Sequence, residues 1–361
     1  MQNSEAPATV QLFPAGALRA LMADLFAAAG VSRRGANRVA EILVEADLQG
    51  LPSHGVMQAE GYLTRLKCGA ASARDEAEIV VDNGCAMVLD AHDMLGQLSA
   101  DQAMRLAVAK AKQFGAGIVA VRRGCHFGAA GYYADIAADE DCIGLVMANT
   151  SPVMPAPGGR ERLVGTNPIS VAIPTEREPH VVLDMATTEG SVAKVRIAAR
   201  DGKTLPGNWA VRQDGTPTTD PNEALKGLLL PSGGPKGFGL SLVADLMGGL
   251  LSSGAWGAGV YGNAFGLSKP HNSSHLFIAI HTGHFRPSED FRHEAQQAAD
   301  RIRASQRVDG TDRIYVPGER KWETRRASDD KVKLEMKQVE TLLALSADFG
   351  INPDAFLASV R

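Results

Sequence analysis

The sequence predicts an α/β fold built on a βαβ-type core, and three features carry that expectation. Two short apolar runs, residues 117–121 and 143–147, have the length and branched side chains of buried strands. Between them lie a turn carrying His126 and an alanine-rich stretch with paired tyrosines, Tyr132 and Tyr133, which reads as a helix. Both runs give out into polar side chains, His126 after the first and Asn149-Thr150-Ser151-Pro152 after the second. Alternating strands and helices build sheets covered on their faces, and such sheets bind ligands at the carboxyl ends of their strands. A Pro/Gly-rich loop, 155–159, and the turn Gly165-Thr166-Asn167-Pro168 close the unit.

The remaining elements follow in chain order. Residues 18–29 carry Leu18, Leu21, Met22, Leu25 and Phe26 at helical spacing, and Gly30 ends them. Ser32 is placed to cap a second helix through Val39, Ile42, Leu43 and Ala46, stopped by Gly50 and Pro52. A third helix over 56–67 leaves Ser53-His54-Gly55 at an exposed junction where side chains converge. Residues 78–82 and 86–90 pair across Asn83-Gly84, a dipeptide suited to hairpins. A helix covers 98–114, with Ala103, Leu106, Ala107 and Ala109 near one face. After the core, 170–174 and 180–184 read as strands, the second delivering Asp184 into Met185-Ala186-Thr187-Thr188. A helix over 191–200 precedes a turn-rich surface excursion, 201–226. Gly233-Gly234-Pro235-Lys236-Gly237 opens a helix through Leu250, and glycines at a helix start let backbone N–H groups approach an anion. A strand over 275–280, a helix over 288–305 capped by Ser288, a tight turn at 315–319 and a last helix over 333–347 complete the reading.

At 361 residues the chain suits two domains, or one domain with helical flanks. A net charge of −4, with no Lys/Arg cluster interleaved with aromatics, argues against a nucleic-acid surface. Cysteines 68, 85, 125 and 142 lack CxxC spacing and point to a reducing compartment, not a disulfide framework. Residues 1–9 carry no secretion-signal pattern, and no run approaches the roughly eighteen apolar residues of a spanning helix. The expected location is cytoplasmic.

His54, His126, Asn149, Thr166, Asp184 and Lys236 sit where strands end or helices begin. Each also has a plain reading: a satisfied structural histidine, a turn-capping aspartate, a solvated lysine. GxGxxG spacing occurs at 257–262, but after a helix, so it is a chance match to the dinucleotide fingerprint. Gly202-Lys203-Thr204 lacks the earlier glycine of a phosphate loop, and His293-Glu294 meets Gln297 where HExxH needs histidine. No GxSxG elbow exists, and no metal site is expected. What remains is acid–base work on a small substrate with an anion cradle of glycine-rich turns. Histidine, with an ordinary pKa of about 6.5, suits proton exchange with a carbonyl oxygen. A carboxylate such as Asp184 is the expected orienting partner.

At these residues the sequence resembles the type 2 malate/L-lactate dehydrogenase family. That family includes sulfolactate, ureidoglycolate and diketogulonate oxidoreductases and cyclic-imine (piperideine-2-carboxylate) reductases. The matching pieces are Ser53-His54-Gly55-Val56, Tyr62 with Arg65-Leu66, Cys125-His126-Phe127-Gly128, Asn149-Thr150-Ser151-Pro152, Gly165-Thr166-Asn167-Pro168, Asp184-Met185-Ala186-Thr187, Lys194, Gly234-Pro235-Lys236-Gly237 and Pro317-Gly318. The resemblance implies a nicotinamide cofactor, NAD or NADP, on a sheet domain (81–289) that is not a Rossmann fold. It implies a helical domain from the N- and C-terminal segments (1–80 with 290–361), and a homodimer with active sites near its interface. The implied activity is interconversion of a 2-oxo acid and its 2-hydroxy acid. His54 is then the proton donor and acceptor with Ser53 beside it, and His126 the second histidine of the site. Leu183, Asp184, Met185, Ala186, Thr187, Thr188, Pro235, Lys236, Pro317, Gly318 and Glu319 are the implied cofactor contacts, and Asn149 and Thr166 line the pocket near the nicotinamide. One departure stands out. Gln58 occupies a place where the family often has an arginine, and an amide lacks both the charge and the bidentate fork for a carboxylate. Either another cation takes over (Arg65 or one from the partner subunit), or the substrate differs from malate. Cyclic imino-acid reduction is the near alternative; a metal-assisted hydrolase or lyase and an inactive binding member are the distant ones.

Overall fold

A computed structural model describes residues 10–262 and 266–359. The reading of residues 1–9 lies outside the described residues. Strand β1 (Val10–Pro14) leads into α1 (Ala15–Ala28), which packs on α2 (Arg33–Leu48). Ser32 caps α2 as its position predicts, its hydroxyl accepting the Gly35 N–H at 3.1 Å. Two 3₁₀ turns, Pro52–His54 and Val56–Gln58, precede α3 (Ala59–Lys67), so the third helix starts later than apolar spacing predicts. The reason is local: the Asp47 carboxylate on α2 accepts the Val56 N–H at 2.8 Å and holds the chain off helical course.

Next come β2 (Glu78–Asn83), β3 (Ala86–Asp90), α4 (Gly96–Phe114), β4 (Ala116–Gly124), α5 (Ala130–Ala138), β5 (Cys142–Ala148), β6 (Ile169–Ile173) and β7 (Val181–Met185). After α6 (Val192–Arg200) a small unit forms from β8 (Ala210–Val211), β9 (Pro217–Thr218), α7 (Pro221–Lys226) and β10 (Leu228–Leu229). The chain closes with α8 (Pro235–Leu251), β11 (Ser273–His281), α9 (Ser288–Arg303), α10 (Glu319–Ala327), β12 (Lys331–Glu335), α11 (Met336–Asp348) and α12 (Asp354–Ala358).

The central sheet has seven strands in the order β2-β3-β4-β11-β5-β6-β7. β3 and β4 are parallel, joined across α4, while β11 lies between β4 and β5 and is antiparallel to both. The expected βαβ core is therefore split, with α5 crossing over an interposed strand that arrives late in the chain. This mixed order is not the parallel order of a Rossmann sheet. It has a consequence for the site: the carboxyl ends of β4 and β5 open on the same edge as the amino end of β11. His126, Asn149, His271 and His275 are gathered there.

Three expectations need correction. Residues 201–226 are not a bare excursion, because Val195, Leu205, Ala210, Ala224 and Leu229 form a second small core beneath the three-stranded sheet β10-β8-β9. Strands of two residues are too short to leave a periodic signal. Ser288 does not cap α9; Pro287 holds the cap position, and the Ser288 hydroxyl accepts from Thr282 Oγ1 at 2.8 Å. The turn at 315–319 opens a helix, α10, and the predicted last helix begins as β12, antiparallel to β1, with α12 following it. Alternation in Lys331-Val332-Lys333-Leu334-Glu335 is a strand pattern, and a capping box between Glu335 and Gln338 marks where α11 starts.

The main core runs without a break from β1 through α1, α2, α4, α5 and the sheet to α12. Phe13 and Phe356 stack across the two chain ends with centroids 4.4 Å apart.

Candidate active site

The half-buried His54 ends the first 3₁₀ turn, with Ser53 Oγ 2.9 Å from its Nδ1. Two clamps hold this turn. Asp47 takes the Val56 N–H, and the Gln58 amide donates to the Ser53 carbonyl at 2.7 Å. Gly55 lies so close to Asp47 that a Cβ there would overlap the carboxyl group, so the turn requires glycine. Burial pushes the Asp47 carboxyl up to about 7, against the opposing Val56 hydrogen bond.

The second histidine leaves β4 through a sharp bend. Arg123 is left-handed (φ 50°), and Gly96 packs on the Cys125 and His126 carbonyls where a Cβ would overlap them. These constraints set the His126 ring nearly parallel to His54, centroids 5.8 Å apart and planes at 24°. The Tyr62 hydroxyl on α3 lies 2.5 Å from His126 Nδ1, and the His126 N–H donates to His271 Nδ1 at 3.3 Å. The two predicted histidines thus meet, and Tyr62 and His271 join them.

Burial lowers the His54 pKa below the ordinary 6.5; Asp184 opposes the shift and Lys321 assists it. Burial lowers His126 well below its ordinary value, and His54, His271 and His275 add to the effect. Both imidazoles are neutral at neutral pH. His271 and His275 are buried down to pKa values of about 3. His275 lies edge-on to Phe127, centroids 4.7 Å apart. No cluster of metal-binding side chains forms among the described residues.

The three predicted cofactor segments meet along β7 and the bend that follows it. Asp184 pairs with Lys321 at 2.7 Å and packs on Gly131, where a Cβ would come within 2.9 Å of its carboxylate. It acts on His54 through its field; Ser53, not Asp184, makes the hydrogen bond to the ring. Thr187 donates both its N–H (2.9 Å) and its hydroxyl (3.0 Å) to the Thr166 carbonyl, which fixes the bend after Met185. Glu189 accepts the Gly233 N–H at 2.9 Å, docking the left-handed Gly233-Gly234 turn and the start of α8, with Pro235 and the exposed Lys236, beside that bend. Pro317 accepts the Val182 N–H at 3.0 Å, and left-handed Gly318 (φ 96°) is pressed onto Val182. The buried Glu319 carboxylate accepts from Arg303 and from the Val316 N–H.

Some side chains are already committed. The Asn149 amide donates to the Ala255 carbonyl at 2.8 Å and accepts the Ser274 N–H at 2.7 Å, stitching β5 to β11. Arg65 is buried and donates to the carbonyls of Gly262, Gly266 and Lys269, so its guanidinium is engaged by the glycine-rich stretch. A cleft of about 1000 Å³ leads outward from Asp184, Gly131 and Gly318 between α2, α5 and α10.

The malate/L-lactate dehydrogenase family model matches residues 13–343. The chain belongs to that family. It is 35% identical over 340 residues to the L-sulfolactate dehydrogenase of Methanocaldococcus jannaschii, covering 93% of this chain and 97% of that protein. It is 38% identical over 299 residues to a malate dehydrogenase of Pyrococcus horikoshii, covering 81% and 82%. The solved sulfolactate dehydrogenase of M. jannaschii matches with a TM-score of 0.90 at 34% identity, over 96% of this chain and 99% of that one. As a family member the protein is an oxidoreductase, a dehydrogenase of small hydroxy acids.

Proposed function

We propose that the protein is an NAD(P)-dependent dehydrogenase interconverting a 2-oxo acid and its 2-hydroxy acid, with His54 as the acid/base. The observation that carries this reading is the stacked pair of histidines, each with Nδ1 at a hydroxyl and with no partner at Nε2 among the described residues. In the oxidising direction the neutral His54 takes the substrate hydroxyl proton; in the reducing direction its protonated form returns a proton to the carbonyl oxygen.

The segments around β7 suit a nicotinamide dinucleotide. Thr188 Oγ1 is buried without a partner among the described residues, and at the start of α8 Pro235 has no N–H while the Gly237 N–H donates to the Ser232 carbonyl at 2.9 Å, so the Lys236 N–H is the backbone donor left to face an anion. Leu183, Asp184, Met185, Ala186, Thr187 and Thr188 would hold it, together with Pro235, Lys236, Pro317, Gly318 and Glu319, and Asn149 and Thr166 support the floor near them. When bound, the cofactor supplies the hydride donor or acceptor.

Gln58 braces the His54 turn, so the substrate carboxylate needs a cation from elsewhere; Lys321, whose charge His54 feels, is the candidate within this chain. Leu240, Val243, Leu250 and Leu251 leave α8 with an exposed apolar face, which supports a homodimer. The terminal segments (1–80 with 290–361) form the helical unit and 81–289 the cofactor unit. Four free cysteines support a cytoplasmic location, and no helix of the described residues is long and apolar enough to cross a membrane.

The test is a nicotinamide-fluorescence titration with NADH and NADPH, followed by a panel of 2-oxo acids and cyclic imines. Saturable binding with cofactor oxidation on a 2-oxo acid is expected. Binding of neither cofactor overturns the reading.

A further inference from the structure

We infer that Tyr62 is a positioning residue that locks His126 in the Nε2–H tautomer, making His126 a fixed hydrogen-bond donor to the substrate oxygen while His54 alone exchanges the proton. The inference deepens the reading above and rests on it. Tyr62 and His126 meet at 2.5 Å between hydroxyl and Nδ1, with rings at 25° and centroids 6.1 Å apart. One of the two must donate. Tyr62 is buried to 3% exposure, and burial raises its pKa, so the phenol keeps its proton. His126 Nδ1 is the hydrogen-bond partner of the Tyr62 hydroxyl among the described residues, so the protonated phenol directs its O–H to Nδ1. A ring that accepts at Nδ1 and is neutral carries its proton on Nε2.

The consequence lies in the pairing of the two rings. His54 has Ser53 Oγ at Nδ1; with Nδ1–H donating to that hydroxyl, its Nε2 is a lone pair. A substrate hydroxyl set against the pair donates to His54 Nε2 and accepts from His126 Nε2–H. As the substrate carbon gives up its hydride to the nicotinamide cofactor of the proposed reaction and the C–O bond gains carbonyl character, the hydroxyl proton passes to His54 and the oxygen keeps the His126 donor. No proton leaves His126 in either direction. A neutral imidazole donor of this kind polarises a carbonyl without itself titrating.

The experiment is long-range ¹H–¹⁵N correlation NMR on the full chain labelled at histidine ring nitrogens, with His126→Asn to assign the signal. The expected result is an unprotonated Nδ1 and a protonated Nε2 on His126, unchanged across the neutral range. Tyr62→Phe should release this pattern into exchanging tautomers. It should lower kcat by about 10- to 100-fold while leaving the fluorescence-measured nicotinamide affinity within about twofold. A wild-type His126 protonated at Nδ1 overturns the inference, and so does a Tyr62→Phe chain that keeps the fixed pattern. The resting-state spectrum decides the tautomer whether or not a 2-hydroxy acid is the substrate, and the cofactor titration decides the wider reading separately.

Discussion

His54 and His126 are the same residue type 5.8 Å apart, yet they sit in opposite electrostatic settings. His54 lies on a short turn and feels the Asp184–Lys321 ion pair, one charge raising its pKa and the other lowering it. His126 is surrounded by a phenol and three other imidazoles, with no carboxylate among the causes of its shift. On the reading proposed above, the difference separates two tasks that a single histidine performs poorly together. A group that exchanges a proton needs an adjustable pKa, whereas a group that steadies an oxygen needs a fixed one.

The contrast is broken most severely by removing the titrating ring. His54→Ala should lower turnover by about 10²–10⁴-fold in both directions with nicotinamide affinity retained. If turnover stays within a few-fold, His126 is the acid/base and the division of labour is reversed. Replacing the fixed donor is expected to cost somewhat less. His126→Asn should reduce kcat by about 10²–10³-fold, the range for loss of one donor to a developing charge. Its pH–rate profile should keep the wild-type shape, since the titrating group remains; loss of the limb that reports proton exchange would count against a donor role.

A smaller effect is expected behind the His54 turn. Gly55→Ala places a methyl group against the Asp47 carboxyl, so the turn must shift or the carboxylate must swing away from the Val56 N–H. Overpacking of this kind costs about 1–3 kcal/mol. Thermal denaturation should show a lowered midpoint, and kcat should fall by about tenfold because the ring leaves its stacked position. Unchanged stability and kcat would show that the turn is not held by this clamp.

The same contrast explains what the sequence made legible. Helices with caps and stop glycines, such as α2 between Ser32 and Gly50, announce themselves locally. His54 and His126 stood out because each follows a chain break signal, Pro52 or the end of an apolar run. What brings them together does not: β11 inserts between β4 and β5 from far along the chain, and only that pairing delivers His271 to the His126 N–H. Tyr62 lies on an ordinary helical stretch, and its partner is 64 residues away, so no periodicity marks it. Asn149 stands out in the sequence as a polar residue at a strand end, and its amide is bound to the backbone of Ala255 and Ser274. Position in a strand–loop pattern identifies where chemistry gathers, and long-range pairing decides which side chains are left open to do it.

The finest probe acts on the ion pair rather than on either ring. Asp184 raises the His54 pKa and Lys321 lowers it, so the two halves of one 2.7 Å contact have opposite signs. On the proposed reading the reducing reaction needs protonated His54, so its rate falls as pH rises through the depressed pKa. Asp184→Asn removes the raising influence and should move that fall to lower pH; Lys321→Met removes the lowering influence and should move it to higher pH. Both residues border the cofactor segments, so the profiles are measured as kcat with cofactor saturating. General damage to the site would displace both profiles the same way or flatten both. Opposite displacements identify His54 as the group whose proton the pair controls, and the same substitutions should leave the His126 ring resonances unmoved.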